Sequence, residues 1–131
     1  MNRREVRDCA FKIIFESLLR DDTIEELYEI ANEIEEITVN DKVKEIVEGV
    51  VNNAEKLDEL IIKFSPKRNI NRISKINLAI LKIAFYEILF DELTPTNVAI
   101  NEAVQLAKTY SQSEDVAFVN GLLGTYSREQ V

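Results

Sequence analysis

No proline falls between Met1 and Ser65, and glycine occurs only three times in 131 residues, so little in the chain can interrupt a helix. Val43, Ile46, Val47, Val50, Ala54, Leu57, Leu60 and Ile61 follow the 3.6-residue period closely and predict one long amphipathic helix starting at Asn40 or Asp41. Asn2 is placed to cap an earlier helix running to about Leu19. After a polar break at Asp21 and Asp22, a short acidic helix is expected near Thr23 to Glu36. The class these patterns imply is all-α.

The segment Phe64 to Asn71, FSPKRNIN, joins a proline to polar residues and reads as a hinge inside a single domain, residues 1–131. It separates an N-terminal half of about 1–64 from a C-terminal half of about 72–131. From Asn71 or Ser74 a helix runs to Phe90, apolar around most of its circumference, which makes it the expected central helix. Thr94 followed by Pro95 reads as a cap and first helical residue of an element reaching about Lys108, and Ser113 reads as the cap of a last helix ending near Tyr126.

The apolar window Ile76 to Phe90 contains Asn77, Lys82 and Glu87 and is shorter than the roughly 20 residues a membrane helix needs. Lys12 and Glu16 break the apolar residues after the opening arginines, unlike a secretory leader. A cytoplasmic protein without a membrane partner is expected. Cys9, the one cysteine, sits among Val6, Ala10 and Ile13 as a small core residue would.

A net charge of −8 argues at first against nucleic acid. The signs, however, are segregated. Residues 1–20 carry five basic and three acidic side chains, and 21–60 carry three and 14. Residues 61–90 carry six and one, and the remainder two and six. Because salt confines electrostatics to roughly 8 Å, a local basic face can hold phosphate while a distant acidic face repels it. With no histidine and no glycine-rich phosphate loop, the chain lacks the usual acid–base shuttle and nucleotide cradle. Its carboxylates crowd without metal-loop spacing, so no enzyme activity, cofactor or metal is expected.

Arg4, Phe11, Phe15 and Leu18 fall within one sector of the first helix, with Arg3 and Arg7 beside them. Such a stripe suits single-stranded RNA, guanidinium groups holding phosphates and a ring stacking on a base. Phe11 reads as core. For Phe15 both a core and a stacking position stand. On the central helix Lys75, Ala79, Lys82 and Tyr86 form a second basic and aromatic stripe, in which Lys82 either snorkels across the core edge or binds phosphate. Glu87, between Ile76, Ile80 and Ile83 on the wheel, needs hydrogen-bond donors, with backbone amides at the start of a neighbouring helix the expected partners. Gly121 costs a helix about 1 kcal/mol relative to alanine, which predicts close approach of a helix or ligand there.

Three blocks in order, RISKINLAILKIAFYEIL, then PTNVAINEAVQLAK, then FVNGLLG, resemble the closing half of the bacterial antitermination factor NusB family. The opening RREVRDCAFKIIF resembles the family's arginine-rich start with its "REC" or "RDC" sequence. The likeness is strongest over residues 72–124, whereas 21–60 match mainly in helical character. It implies a compact bundle of about seven helices in two packed halves. It places Arg3, Arg4 and Arg7 on the family's RNA-binding arginines, Lys82 on the arginine of its "LRIA" block, and Phe118 on the phenylalanine of its FVNG block. Phe15 stands where relatives often carry an aromatic hydroxyl, and Glu5 makes the opening less basic, which predicts weaker RNA affinity. The implied ligand is single-stranded boxA-like RNA of ribosomal operons. The implied partners are ribosomal protein ten of the small subunit, the Nus factors and RNA polymerase, with a homodimer also possible.

Two other readings remain open from sequence. One is a protein-interaction adaptor that uses the acidic surface without touching RNA. The other is the helical RNA-binding domain of a ribosomal-RNA cytosine methyltransferase, which would require a methyl-donor domain after Val131.

Overall fold

The computed structural model describes residues 1–66 and 69–130, so Lys67 and Arg68 of the expected hinge lie outside the described residues. Those described form an all-α protein with α1 Arg3–Leu19, α2 Ile24–Asn32, α3 Asp41–Asn52, α4 Ala54–Phe64, α5 Lys75–Phe90, α6 Thr96–Tyr110 and α7 Ser113–Glu129. A single 3-10 turn, Ile70–Arg72, precedes α5.

Local chemistry sets most boundaries. Asn2 caps α1 and Thr23 caps α2, in each case reciprocated by a glutamate at the third helical position, and Asn40 and Ser74 accept from the backbone at the starts of α3 and α5. The expected second helix ends four residues early, at Asn32.

The long helix predicted from Asn40 is two helices. Its apolar period runs unbroken through Val50, Ala54 and Leu57, yet the Asn53 side-chain amide donates to the Gly49 carbonyl at 2.7 Å and the chain turns there. An asparagine that bonds its own backbone competes with the helical ladder. Thr94 is not the cap of α6 either. Pro95 takes that place, while the Thr94 hydroxyl is committed to Arg3 and Asp91. The last helix starts at Ser113 with Gln112 as cap.

α5 contacts α1, α3, α4, α6 and α7, which explains its nearly continuous apolar surface. Ile80, Leu81, Ile83, Ala84 and Phe85 are buried along it, joined by Ile13 and Ile14 of α1, Val43 and Val47 of α3, Leu57 and Ile61 of α4, and Leu123 of α7. The start of α1 consequently lies against the end of α5 and the first turns of α6. Among the described residues no helix is long and apolar enough to cross a membrane.

Candidate nucleic-acid interface

Arg3, Arg4 and Arg7 lie on one side of the first two turns of α1, because positions three and four apart share a helix face. Glu87 and Asp91 lie one turn apart at the end of α5, and Glu102 sits in the second turn of α6. Docking α1 on these elements interleaves the six side chains. Arg7 Nε and Nη2 donate to the two Glu87 oxygens at 2.7 Å each, and Nη1 stands 3.5 Å from Glu102 Oε2. Arg4 Nε and Nη2 donate to Glu102 at 3.0 and 2.8 Å. Arg3 Nη2 donates to Asp91 and to the Thr94 hydroxyl, and lies 3.8 Å from Glu87. Three cations and three carboxylates thus alternate from Arg4 through Arg7 to Arg3.

The middle and the ends of this chain differ. Arg7 and Glu87 are 4% and 2% exposed, whereas the Arg3 and Arg4 side chains are 58% and 69% exposed. Burial works against the Arg7 charge, but the Glu87 carboxylate raises its pKa overall. The hydrogen bond from Arg4 leads in holding the Glu102 carboxyl below its ordinary range, against a smaller desolvation effect. At Asp91 burial pushes the pKa up and is outweighed by Thr94, Arg3 and the Leu93 amide, so this carboxyl too is lowered. Glu87 therefore finds its donors in a guanidinium on α1, not in the backbone amides expected from sequence.

The eight sequence candidates do not form one patch. Arg3, Arg7 and Tyr86 line a cavity of about 220 Å³ with Met1, Phe90 and Leu93. Arg4 and Arg7 line a neighbouring cavity of about 420 Å³ beside Cys9 and Glu102. Phe15 lies two turns further along α1, roughly 12 Å from Arg7. It is half-buried and stacked at 6.1 Å on the buried Phe11, which in turn stacks on Tyr110.

Lys75, Lys82 and Tyr86 do not make an exposed stripe, because α5 is covered on several sides. Lys75 is exposed and Ala79 buried. Lys82 is 7% exposed, with Nζ 3.1 Å from Asp58 Oδ1. Tyr86 lies over Gly49 of α3, its hydroxyl 3.4 Å from the Glu45 carbonyl. Phe118, half-buried, faces a separate cavity with Arg72, Asn77 and Asp115.

Gly121 is exposed, and a Cβ there would meet nothing within 4 Å, so no helix approaches it as its presence predicted. The close approach occurs at Gly49 instead. Glu102, Asp91, Asp58 and Gly49 were not visible as partners in the sequence. A lone acid within the apolar VAINEAV run was the only hint of Glu102. Among the described residues no cluster of metal-ligating side chains is present.

A model of the NusB family matches residues 4–128. The chain belongs to the NusB family. Of its NusB relatives, the transcription antitermination protein of Acetivibrio thermocellus is 43% identical over 128 residues, covering 95% of this chain and 87% of that protein. The one from Clostridium acetobutylicum is 42% identical, covering 95% and 93%. Solved structures agree. NusB from T. maritima matches with a TM-score of 0.83 at 33% identity, covering 98% of this chain and 92% of that one. A chain from the crystal structure of antitermination factors NusB and NusE in complex with dsRNA matches with a TM-score of 0.84 at 25% identity, covering 97% and 96%. NusB proteins are antitermination factors and not enzymes, and this member is to be read as one.

Proposed function

We propose that this NusB protein binds boxA-type single-stranded RNA of ribosomal operons, together with ribosomal protein ten of the small subunit, as a non-catalytic cytoplasmic factor. The pair joins the Nus factors on RNA polymerase and suppresses termination. The observation that carries the reading is the exposed guanidinium pair of Arg3 and Arg4 on the opening turn of α1, set above a rigid Arg7–Glu87 contact. The dsRNA and NusE named for a structural relative support RNA binding beside a protein partner.

In this reading Arg3 and Arg4 hold phosphates, Phe15 offers the outer face of an aromatic stack, and exposed Lys75 adds charge. Arg7, Lys82 and Tyr86 act through packing, and Phe118 shapes a groove at the other end of α5. The pairing of all three arginines with carboxylates favours a second reading, an adaptor that binds protein only.

Titration of labelled boxA-like single strands, and of a duplex of the same sequence, with and without ribosomal protein ten at two salt concentrations separates the two. RNA binding gives log K falling with log salt by about 0.7 per phosphate contact and weakened by Arg4→Ala. Binding indifferent to salt and to the arginines establishes the adaptor.

A further inference from the structure

The edge of a guanidinium that presents Nε and one Nη is the edge that takes an oxyanion bidentately, whether carboxylate or phosphate. On Arg4 both of these nitrogens are committed to Glu102, at 3.0 and 2.8 Å, and on Arg3 the Nη2 group is committed to Asp91. We infer that Glu102 and Asp91 are internal competitors of RNA phosphate, occupying the Arg4 fork and the Arg3 Nη2 group in the free protein and exchanged for phosphates when RNA binds. The inference rests on the reading of Arg3 and Arg4 as RNA contacts.

Three features of the network fit exchange. The outer arginines are largely open to solvent, and exposed ion pairs of this kind are weak. Each carboxylate released keeps another partner. Arg7 Nη1 remains 3.5 Å from Glu102, and Asp91 retains the Thr94 hydroxyl at 2.7 Å and the Leu93 amide at 3.0 Å. The Arg7–Glu87 pair, 4% and 2% exposed and joined by two 2.7 Å bonds, stays in place and keeps α1 seated while its ends exchange. The protein's affinity for RNA is therefore set by the difference between two anions competing for the same donors.

The test titrates a fluorescently labelled single-stranded boxA-like oligonucleotide against the wild-type chain, Glu102→Gln, Asp91→Asn and Arg4→Ala over a range of salt. Glutamine keeps the shape and the helix but leaves Arg4 without an internal counter-anion. Glu102→Gln is expected to bind about two- to fivefold tighter. Its salt dependence should also steepen, because phosphate then sheds its counterions without freeing a carboxylate that recaptures one. Asp91→Asn should act in the same direction through Arg3, and decides the matter should Glu102→Gln lower Tm. Amide variants that fold normally and bind no tighter than wild type overturn the inference, leaving the carboxylates as mere positioning groups. An Arg4→Ala variant that binds like wild type overturns the underlying RNA reading instead.

Discussion

Arg7 of α1 and Glu87 of α5, 80 positions apart in sequence, meet as a two-bonded ion pair with both N–O distances at 2.7 Å and both side chains buried. A pair so placed does more for the arrangement of the helices than its net energy suggests, since desolvation of two charges offsets much of their attraction. Removing one partner is another matter.

Glu87→Ala leaves the buried Arg7 guanidinium with only its 3.5 Å contact to Glu102 and should cost about 3 kcal/mol in urea unfolding. The double variant Arg7→Met with Glu87→Leu should recover most of that loss. A Glu87→Ala protein as stable as wild type would show the pair to be dispensable.

Gly49 is required by its neighbour. A Cβ there would fall inside the van der Waals surface of the Tyr86 ring and come to 2.8 Å from its hydroxyl oxygen. Overpacking of this kind costs about 1–3 kcal/mol, only partly offset by the helix propensity of alanine. Gly49→Ala should lower Tm by several degrees, and adding Tyr86→Leu should restore it.

Gly121 predicts the reverse. It lies exposed in α7 with nothing within 4 Å of where an alanine methyl would sit, so Gly121→Ala should raise stability by up to about 1 kcal/mol. Thermal melts of the free protein check this, and a fall in Tm would mean the open space is not open in solution.

These two glycines mark what sequence could and could not disclose. Caps and periods are local, so Asn2, Ser74 and the apolar face of α3 announced their elements. The break at Asn53 was hidden because the apolar period continues across it. The arginine cluster was legible as a cluster, since i, i+3 and i, i+4 spacing fixes a shared face. Its partners were not, because Glu87, Asp91 and Glu102 reach it only once α5 and α6 are docked. Lys82 looked like part of a basic stripe for a related reason. Helical spacing says which residues share a face, and only packing says whether that face is open.

The two outer carboxylates give the protein an acid limb. Glu102 faces Arg4 and Arg7, and Asp91 faces Arg3, Thr94 and the Leu93 amide, and both have folded-state pKa values below their ordinary 4.5 and 3.8. A lowered carboxyl pKa contributes stability that is fully present above the unfolded value and lost as pH falls through the folded one. Tm should therefore hold above about pH 5 and fall progressively below it. The Glu102→Gln variant should lose less than wild type over the same interval.

Lys82 and Arg4 provide the comparison that tests the proposed RNA surface. The Lys82 side chain is 9% exposed and its ammonium is matched to Asp58 beside a cavity it shares with the α1–α2 turn and the α3–α4 junction, whereas the Arg4 fork is bound at its edge but open on its face. Methionine at position 82 preserves the buried stem and leaves the Asp58 carboxylate, 35% exposed overall but buried at Oδ1, without its cation. Lys82→Met should consequently change RNA affinity and its salt slope little, while Arg4→Ala should weaken binding and reduce the slope by about 0.7 for the lost phosphate contact. If Lys82→Met instead weakens binding as much as Arg4→Ala at unchanged Tm, the ammonium leaves Asp58 for phosphate. The RNA path would then extend across the far end of α1.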